Sequence, residues 1–221
     1  MKNILKKLFC PLRRLNDRVQ RIILRLLGGP GFSNPYFNVG RLWKHLIVQK
    51  VFRINSHVPW PVHWTASVKA PELIVRGTAC PGCGCGAVLD GRNGIILGEN
   101  LWMASHVKII SKNHDVNCYS RYVNDNPIVI GDDCWLGMNA VILPGVNLGN
   151  HTVVAAGAVV TKSFPQGNVV VAGVPAMIVK ELKPYDRDAK GRRVYVPGLV
   201  EFDQKAYDRI MKLSHDTKKG Q

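Results

Sequence analysis

Between Ile130 and Pro165 the hydrophobic pattern repeats every six residues: IGDDCW, LGMNAV, ILPGVN, LGNHTV, VAAGAV, VTKSFP. The first position is aliphatic in each hexad (Ile130, Leu136, Ile142, Leu148, Val154, Val160). The fifth is small in five of the six (Cys134, Ala140, Val146, Thr152, Ala158), before Phe164 closes the run. The second (Gly131, Gly137, Leu143, Gly149, Ala155, Thr161) is mostly glycine or small. A period of six fits neither a helix nor an alternating strand. It fits a solenoid in which each hexad is one short strand and a bend. The aliphatic residue points inward, the small one fills the gap beside it, and glycine is expected to permit the corner. Three hexads then close one triangular coil, and coils stack at the strand spacing of ~4.8 Å. An ordinary parallel sheet would need crossover helices of a dozen or more residues, for which this stretch has no room.

Upstream the rhythm begins faintly at Val62 and Val68 and blurs through a glycine-rich segment to Gly91. It is clear again at Leu97, Met103 and Ile109. From Ile109 to Ile130 the count is not a multiple of six, so a polar, turn-rich loop near 114–126 must leave the coil, a usual place for chemistry. After Pro165 a turn at Gln166-Gly167-Asn168 leads to VVVAGVPAMIVKEL, a last strand and a closing element. The tail at 183–221 is charged, with a short helix expected around Phe202–Leu213. The sequence thus divides into an N-terminal segment 1–60, a solenoid 61–182 and a C-terminal tail 183–221.

The N-terminal segment follows a different period. Ile4, Leu5, Leu8, Leu12, Leu15, Val19, Ile22, Ile23 and Leu26 recur in steps of three and four, predicting an amphipathic helix over 2–27. Pro11 is expected to break it, and Gly28-Gly29-Pro30 to stop it. Charge sharpens this picture. The 221 residues carry 30 Lys+Arg against 15 Asp+Glu, and residues 1–55 hold twelve of the cations against the single acid Asp17. A basic amphipathic helix suits the surface of an anionic membrane. Packing of its apolar stripe on the solenoid or on a neighbouring subunit is the other reading. Nucleic acid is not expected as a partner, because neither interleaved aromatics nor a binding motif accompanies the charge. No secretory signal is read, since arginines interrupt every candidate apolar run, and no run is long enough to span a bilayer. A cytoplasmic protein with reduced thiols is expected.

No metal is expected. Cys80, Cys83 and Cys85 resemble half of a metal knuckle, but a structural zinc site needs four ligands and no second pair exists. His106, His114 and His151 have no spacing that singles out a metal site. His114, in the extruded loop, fits proton transfer better.

The run NHD at 113–115, NPIVIGDDCWLG at 126–137, AVILPGVNLG at 140–149, VVAAGAVVTK at 153–162 and AGVPAMIVK at 172–180 together resemble the hexapeptide-repeat acetyltransferases. The likeness is to the galactoside, maltose and nodulation-factor O-acetyltransferases and to relatives that acetylate capsular or exopolysaccharide sugars. It covers about residues 62–182. It implies an all-β solenoid, a left-handed parallel β-helix, carrying here an N-terminal α-helical segment and a short C-terminal extension. It also implies a homotrimer that binds acetyl-CoA in the groove between subunits.

By this resemblance His114 is the catalytic histidine, flanked by the supporting residues Asn113 and Asp115. The oxyanion donor lies near Gly137 and Met138. Trp135 and Ala156 line the pantetheine groove, Thr161 and Lys162 contact CoA, and Lys180 stands near its phosphates. Met177 replaces a basic residue of the family, and the family's acceptor-binding asparagine has no counterpart at 80–91. The chemistry stands without the family too. A sugar hydroxyl is a poor nucleophile toward a thioester until a base takes its proton. The tetrahedral oxyanion then needs a preorganised donor. The expected function is acetyl transfer from acetyl-CoA to a sugar hydroxyl, directly and without an acetyl-enzyme, on a free or lipid-linked glycan intermediate of surface polysaccharide. Xenobiotic or amino-sugar N-acetylation on the same scaffold, and a non-catalytic assembly module, are the alternatives.

Overall fold

A computed structural model describes residues 16–35, 37–77, 80–186 and 203–219. The chain divides into two compact units, residues 1–64 and 65–221.

In the first unit, helix α1 (Asp17–Gly28) is capped by Asn16, whose side chain accepts a hydrogen bond from the Arg18 N–H. The helix stops at Gly29, whose φ of +91° suits glycine. Residues 2–15 of the expected helix, with its break near Pro11, lie outside the described residues. Helix α2 (Val39–Leu46) starts on an Asn38 cap and runs into a π-helical turn, Ile47–Val51. Leu24 of α1 joins Phe32, Val39, Leu42, Trp43 and Leu46 in one core. The buried Gln49 binds the following segment into the unit: its Nε2 donates to the carbonyls of Asn55, Val58 and Trp60, and its Oε1 accepts from the Val62 N–H.

The buried His45 donates Nδ1–H to the Val62 carbonyl at 2.7 Å. Burial pushes its pKa down from 6.5 to about 4, against the smaller upward pull of the Val62 hydrogen bond. The unfolded chain therefore takes up this proton first. Its contribution to stability is complete above about pH 6.5 and is lost as pH falls towards about 4. The loss amounts to about 3 kcal/mol at the acid end. His45→Gln is expected to flatten the acid limb of the stability curve, read by urea denaturation between pH 7 and 4.

The second unit is the expected solenoid, with five turns built on three parallel faces. The first turn contributes β1 (Ser67–Lys69) and β2 (Ile74–Val75). The second contributes β3 (Val88–Asp90), β4 (Ile95–Leu97) and β5 (Trp102–Met103). The third contributes β6 (Lys108–Ile110), then a two-stranded hairpin of β7 (His114–Asp115) and β8 (Cys118–Tyr122), then β9 (Ile128–Ile130) and β10 (Trp135–Leu136). The fourth holds β11 (Val141–Ile142), β12 (Asn147–Leu148) and β13 (Thr152–Val154). The fifth holds β14 (Val159–Val160), a bridge from Phe164 to Leu148, and β15 (Val169–Gly173). The first face stacks β1-β3-β6-β11-β14, the second β2-β4-β9-β12 and the third β5-β10-β13-β15. Strand β16 (Ala176–Glu181) folds back antiparallel on β15. The fold is a left-handed parallel β-helix, as the motifs implied.

First-position side chains line the interior: Ile142 and Val160 on the first face, Ile130 and Leu148 on the second, Leu136 and Val154 on the third, all buried. Each contributes about 1.5–3 kcal/mol by leaving water. The fifth-position residues are buried beside them. The corners depart from expectation. Positive φ falls on the fourth position of the hexad: Asp133, Asn139, Gly145, His151 and Gly157. Asp, Asn, His and Gly are the residues that tolerate this conformation best. The second-position glycines serve stacking instead. A Cβ on Gly131, Gly137 or Gly149 would stand 2.8 Å or less from backbone atoms of the next turn.

Helix α3 (Gln204–Lys219) is longer than predicted. Its Ala206 and Ile210 pack against Val75, with Leu73, Ile96 and Tyr207 around them. Gly94, at φ +94°, makes room for Ile210, whose Cγ2 would lie 2.6 Å from a Cβ there. Helix α3 therefore covers the second face near its first turns.

Candidate active site

The extruded loop is largely β structure. Ile109 pairs with Ile142, 33 positions on instead of 18, so fifteen extra residues leave the third turn between its first and second faces. These carry the antiparallel hairpin, in which His114 stands opposite Tyr122 and Asp115 opposite Cys118. The Val123 N–H donates to the Asn113 carbonyl at 3.0 Å and closes its base. Asp115 braces the turn: its Oδ1 accepts from the Asn117 N–H at 2.8 Å, and Oδ2 pairs with Arg121 at 3.1 Å. Asn113 and Asp115 thus hold the hairpin in shape.

His114 is exposed, and its Nδ1 is hydrogen-bonded to the Tyr119 carbonyl. A carbonyl can only accept, so Nδ1 carries a proton, and in the neutral imidazole Nε2 is then the nitrogen with the lone pair. The ring packs on Tyr122, with centroids 4.4 Å apart. The same tyrosine receives the Arg92 guanidinium at 4.6 Å and the Lys112 ammonium at 5.8 Å from its centroid. Arg92 is clamped to Asp90 by a 2.7 Å ion pair. Burial works to raise the Asp90 pKa, but the Arg92 hydrogen bonds prevail and hold it below the usual carboxylate range. Beside this cluster lies a cleft of about 190 Å³ lined by Arg92, Asn93, Lys112, Asn124, Asp125 and, from α3, Leu213 and Ser214. Tyr122, Arg92 and the Tyr119 carbonyl escape a sequence reading, because their meeting with His114 depends on the hairpin register.

The other expected residues lie elsewhere on the solenoid. Gly137, Met138 and Ala156 occupy the corner between the third and first faces, where a Cβ on Gly137 would stand 2.6 Å from the Ala156 nitrogen. The Gly137 N–H is engaged with the Val154 carbonyl at 2.8 Å. Met138 is half exposed and its carbonyl accepts from the Gly157 N–H. Trp135 lies exposed on the third face beside Trp102. Thr161 and Lys162 follow β14 at the corner between the first and second faces, the corner from which the hairpin leaves two turns earlier. Lys180 is exposed on β16 opposite Val170, and Met177 opposite Ala172. Within one chain a whole face separates the His114 corner from the Met138–Ala156 corner, roughly 20 Å for an extended hexad.

Cys80 and Cys134 are buried, Cys83 and Cys118 half-buried and Cys85 exposed. Burial pushes the Cys134 thiol up to about 11, which keeps it protonated and poorly nucleophilic. Among the described residues no group of three or more His, Cys, Asp or Glu side chains is arranged to hold a metal. His106 and His151 sit at corners with positive φ, and His151 is bonded to Asn168 and edge-on to Tyr185.

Residues 127–162 match the model of the bacterial transferase hexapeptide family (six repeats). The chain is 36% identical over 96 residues to the galactoside O-acetyltransferase of Escherichia coli K12, covering 42% of this chain and 47% of that one. It is 36% identical over 108 residues to an E. coli K12 protein provisionally named a lipopolysaccharide biosynthesis O-acetyl transferase, covering 43% and 53%. The crystal structure of a maltose O-acetyltransferase from Clostridium difficile 630 is 33% identical, covering 44% and 53%, with a TM-score of 0.40. The chain spans about half the length of these relatives. The family-model match and the two sequence relatives support the family that the motifs suggested, the hexapeptide-repeat O-acetyltransferases.

Proposed function

We propose that this protein is an acetyl-CoA-dependent O-acetyltransferase in which His114 is the general base. The orientation of His114 carries the reading: Tyr119 fixes the tautomer that leaves Nε2 free to take a hydroxyl proton. The acceptor oxygen, as it loses that proton, attacks the thioester carbonyl. The oxyanion needs a backbone donor, and because the Gly137 N–H is already engaged, Met138 N–H takes that role. CoA leaves as the acetyl ester forms, with no acyl-enzyme. The separation of the His114 and Met138 corners favours a homotrimer, in which the hairpin of one chain faces the Met138–Ala156 corner of the next. Ala156 and Trp135 then line the pantetheine arm from one side, with Thr161 and Lys162 contacting CoA from the other and Lys180 near its phosphates.

The cleft beside Arg92, with hydrogen-bonding side chains from Asn93, Lys112, Asn124 and Asp125, suits a hydroxyl-rich acceptor. A sugar in a glycan intermediate of surface polysaccharide is the acceptor class we favour, free or lipid-linked. The test is release of free CoA from acetyl-CoA against free sugars, nucleotide sugars and lipid-linked glycans. Acceptor-dependent release from one class supports the reading and names the acceptor. Release driven by amines alone would overturn O-acetylation.

A further inference from the structure

The apolar residues of α1 divide into two sets. Leu24, with Ile23 half-buried, faces the core of the N-terminal unit. At 100° per residue, Val19, Ile22 and Leu26 share a stripe turned away from Leu24. They are exposed, Ile22 at 60% and Leu26 at 79%, with Leu27 exposed beside them. Arg18 and Arg25, both exposed, border this stripe. A helix with one buried face ordinarily presents polar residues on the other. A second segment repeats the composition: Val51, Phe52 and Ile54 are exposed among Lys50 and Arg53. Both patches fall within the 55 residues that hold twelve cations against one acid.

We infer that the N-terminal unit docks on an anionic lipid surface. The Val19–Ile22–Leu26–Leu27 edge of α1 enters the acyl boundary, its arginines meet the headgroup phosphates, and residues 50–54 form a second contact. Charge selects this occupant. A second copy of the same face would bring like charges together. A nucleic acid would meet the cations and leave the aliphatic edge in water. An anionic bilayer receives both. The inference is independent of acetyl transfer.

The full chain is to be sedimented with phosphatidylcholine vesicles, with and without a quarter phosphatidylglycerol, at 20 and 150 mM salt. Expected is binding to the anionic vesicles, weaker at the higher salt, and little binding to phosphatidylcholine alone. Ile22→Asn with Leu26→Asn should weaken binding at least about tenfold, and Arg18→Gln with Arg25→Gln should remove the preference for anionic lipid. Phe52→Ser should give a smaller loss. Unchanged circular dichroism shows that these surface variants stay folded. Absence of binding by the parent chain, or equal binding by the Ile22/Leu26 variant, would overturn the inference. So would a variant whose oligomeric state changes in place of its lipid binding, since a second copy would then be what covers the stripe.

Discussion

His114→Ala is expected to lower acceptor-dependent release of CoA by about 10²–10⁴-fold, the range a positioned general base supplies. The ring stands on a hairpin braced by Asp115 and Arg121 and by the Val123–Asn113 hydrogen bond, none of which uses the imidazole. The variant should therefore keep its fold, and acetyl-CoA affinity should change little. The loss should fall on kcat rather than on the KM for acetyl-CoA. His114→Gln can still donate to the Tyr119 carbonyl but offers no basic lone pair, so it should be as impaired as the alanine variant. Full activity in either, measured by thiol release under saturating acetyl-CoA, would remove His114 from the mechanism.

The second large effect is on the solenoid. Gly149→Ala places a Cβ 2.3 Å from the Pro165 carbonyl oxygen and 2.6 Å from the Gly167 nitrogen, both backbone atoms of the next turn. Neither can rotate away, so the turns must separate, breaking ladder bonds such as Gly149 N–H to Phe164 O. A loss of at least about 3 kcal/mol is expected, at the upper end of overpacking costs. Gly157→Ala is the control. It sits at φ +71° with nothing within 4 Å of a Cβ, so only backbone strain of about 1–2 kcal/mol opposes it. Denaturant unfolding should rank Gly149→Ala well below Gly157→Ala. The reverse order would mean that corner conformation, not the spacing of turns, limits stability.

These two glycines show how the sequence was and was not legible. Both belong to the repeat, yet the period alone does not say which hexad position turns the corner and which lies under the next turn. Asp133, Asn139 and His151 mark the corners in hindsight. The hexads from Ile130 to Pro165 were readable because no insertion disturbs them. The first turns were not: Val68 pairs with Leu89, 21 positions on, and Leu89 with Ile109, 20 positions on, so a strict count of six drifts out of register. The hairpin betrayed itself by arithmetic only. Its strand character is hidden by polar side chains, and the His114–Tyr122 contact exists only once the strands pair. For α1, amphipathicity located the helix but not its exposed edge, because Leu24 and Ile22 look alike in sequence while one is buried and the other meets solvent.

Acetyl transfer to an unidentified acceptor can fail to register for want of the right acceptor, whereas donor binding needs none. Titration of acetyl-CoA into the full chain therefore tests the central claim most directly. The account predicts saturable binding with one site per chain, abolished by Ala156→Phe, which would fill the groove beside Gly137. A chain that binds no acetyl-CoA would contradict the acyltransferase reading and leave the solenoid as an assembly module.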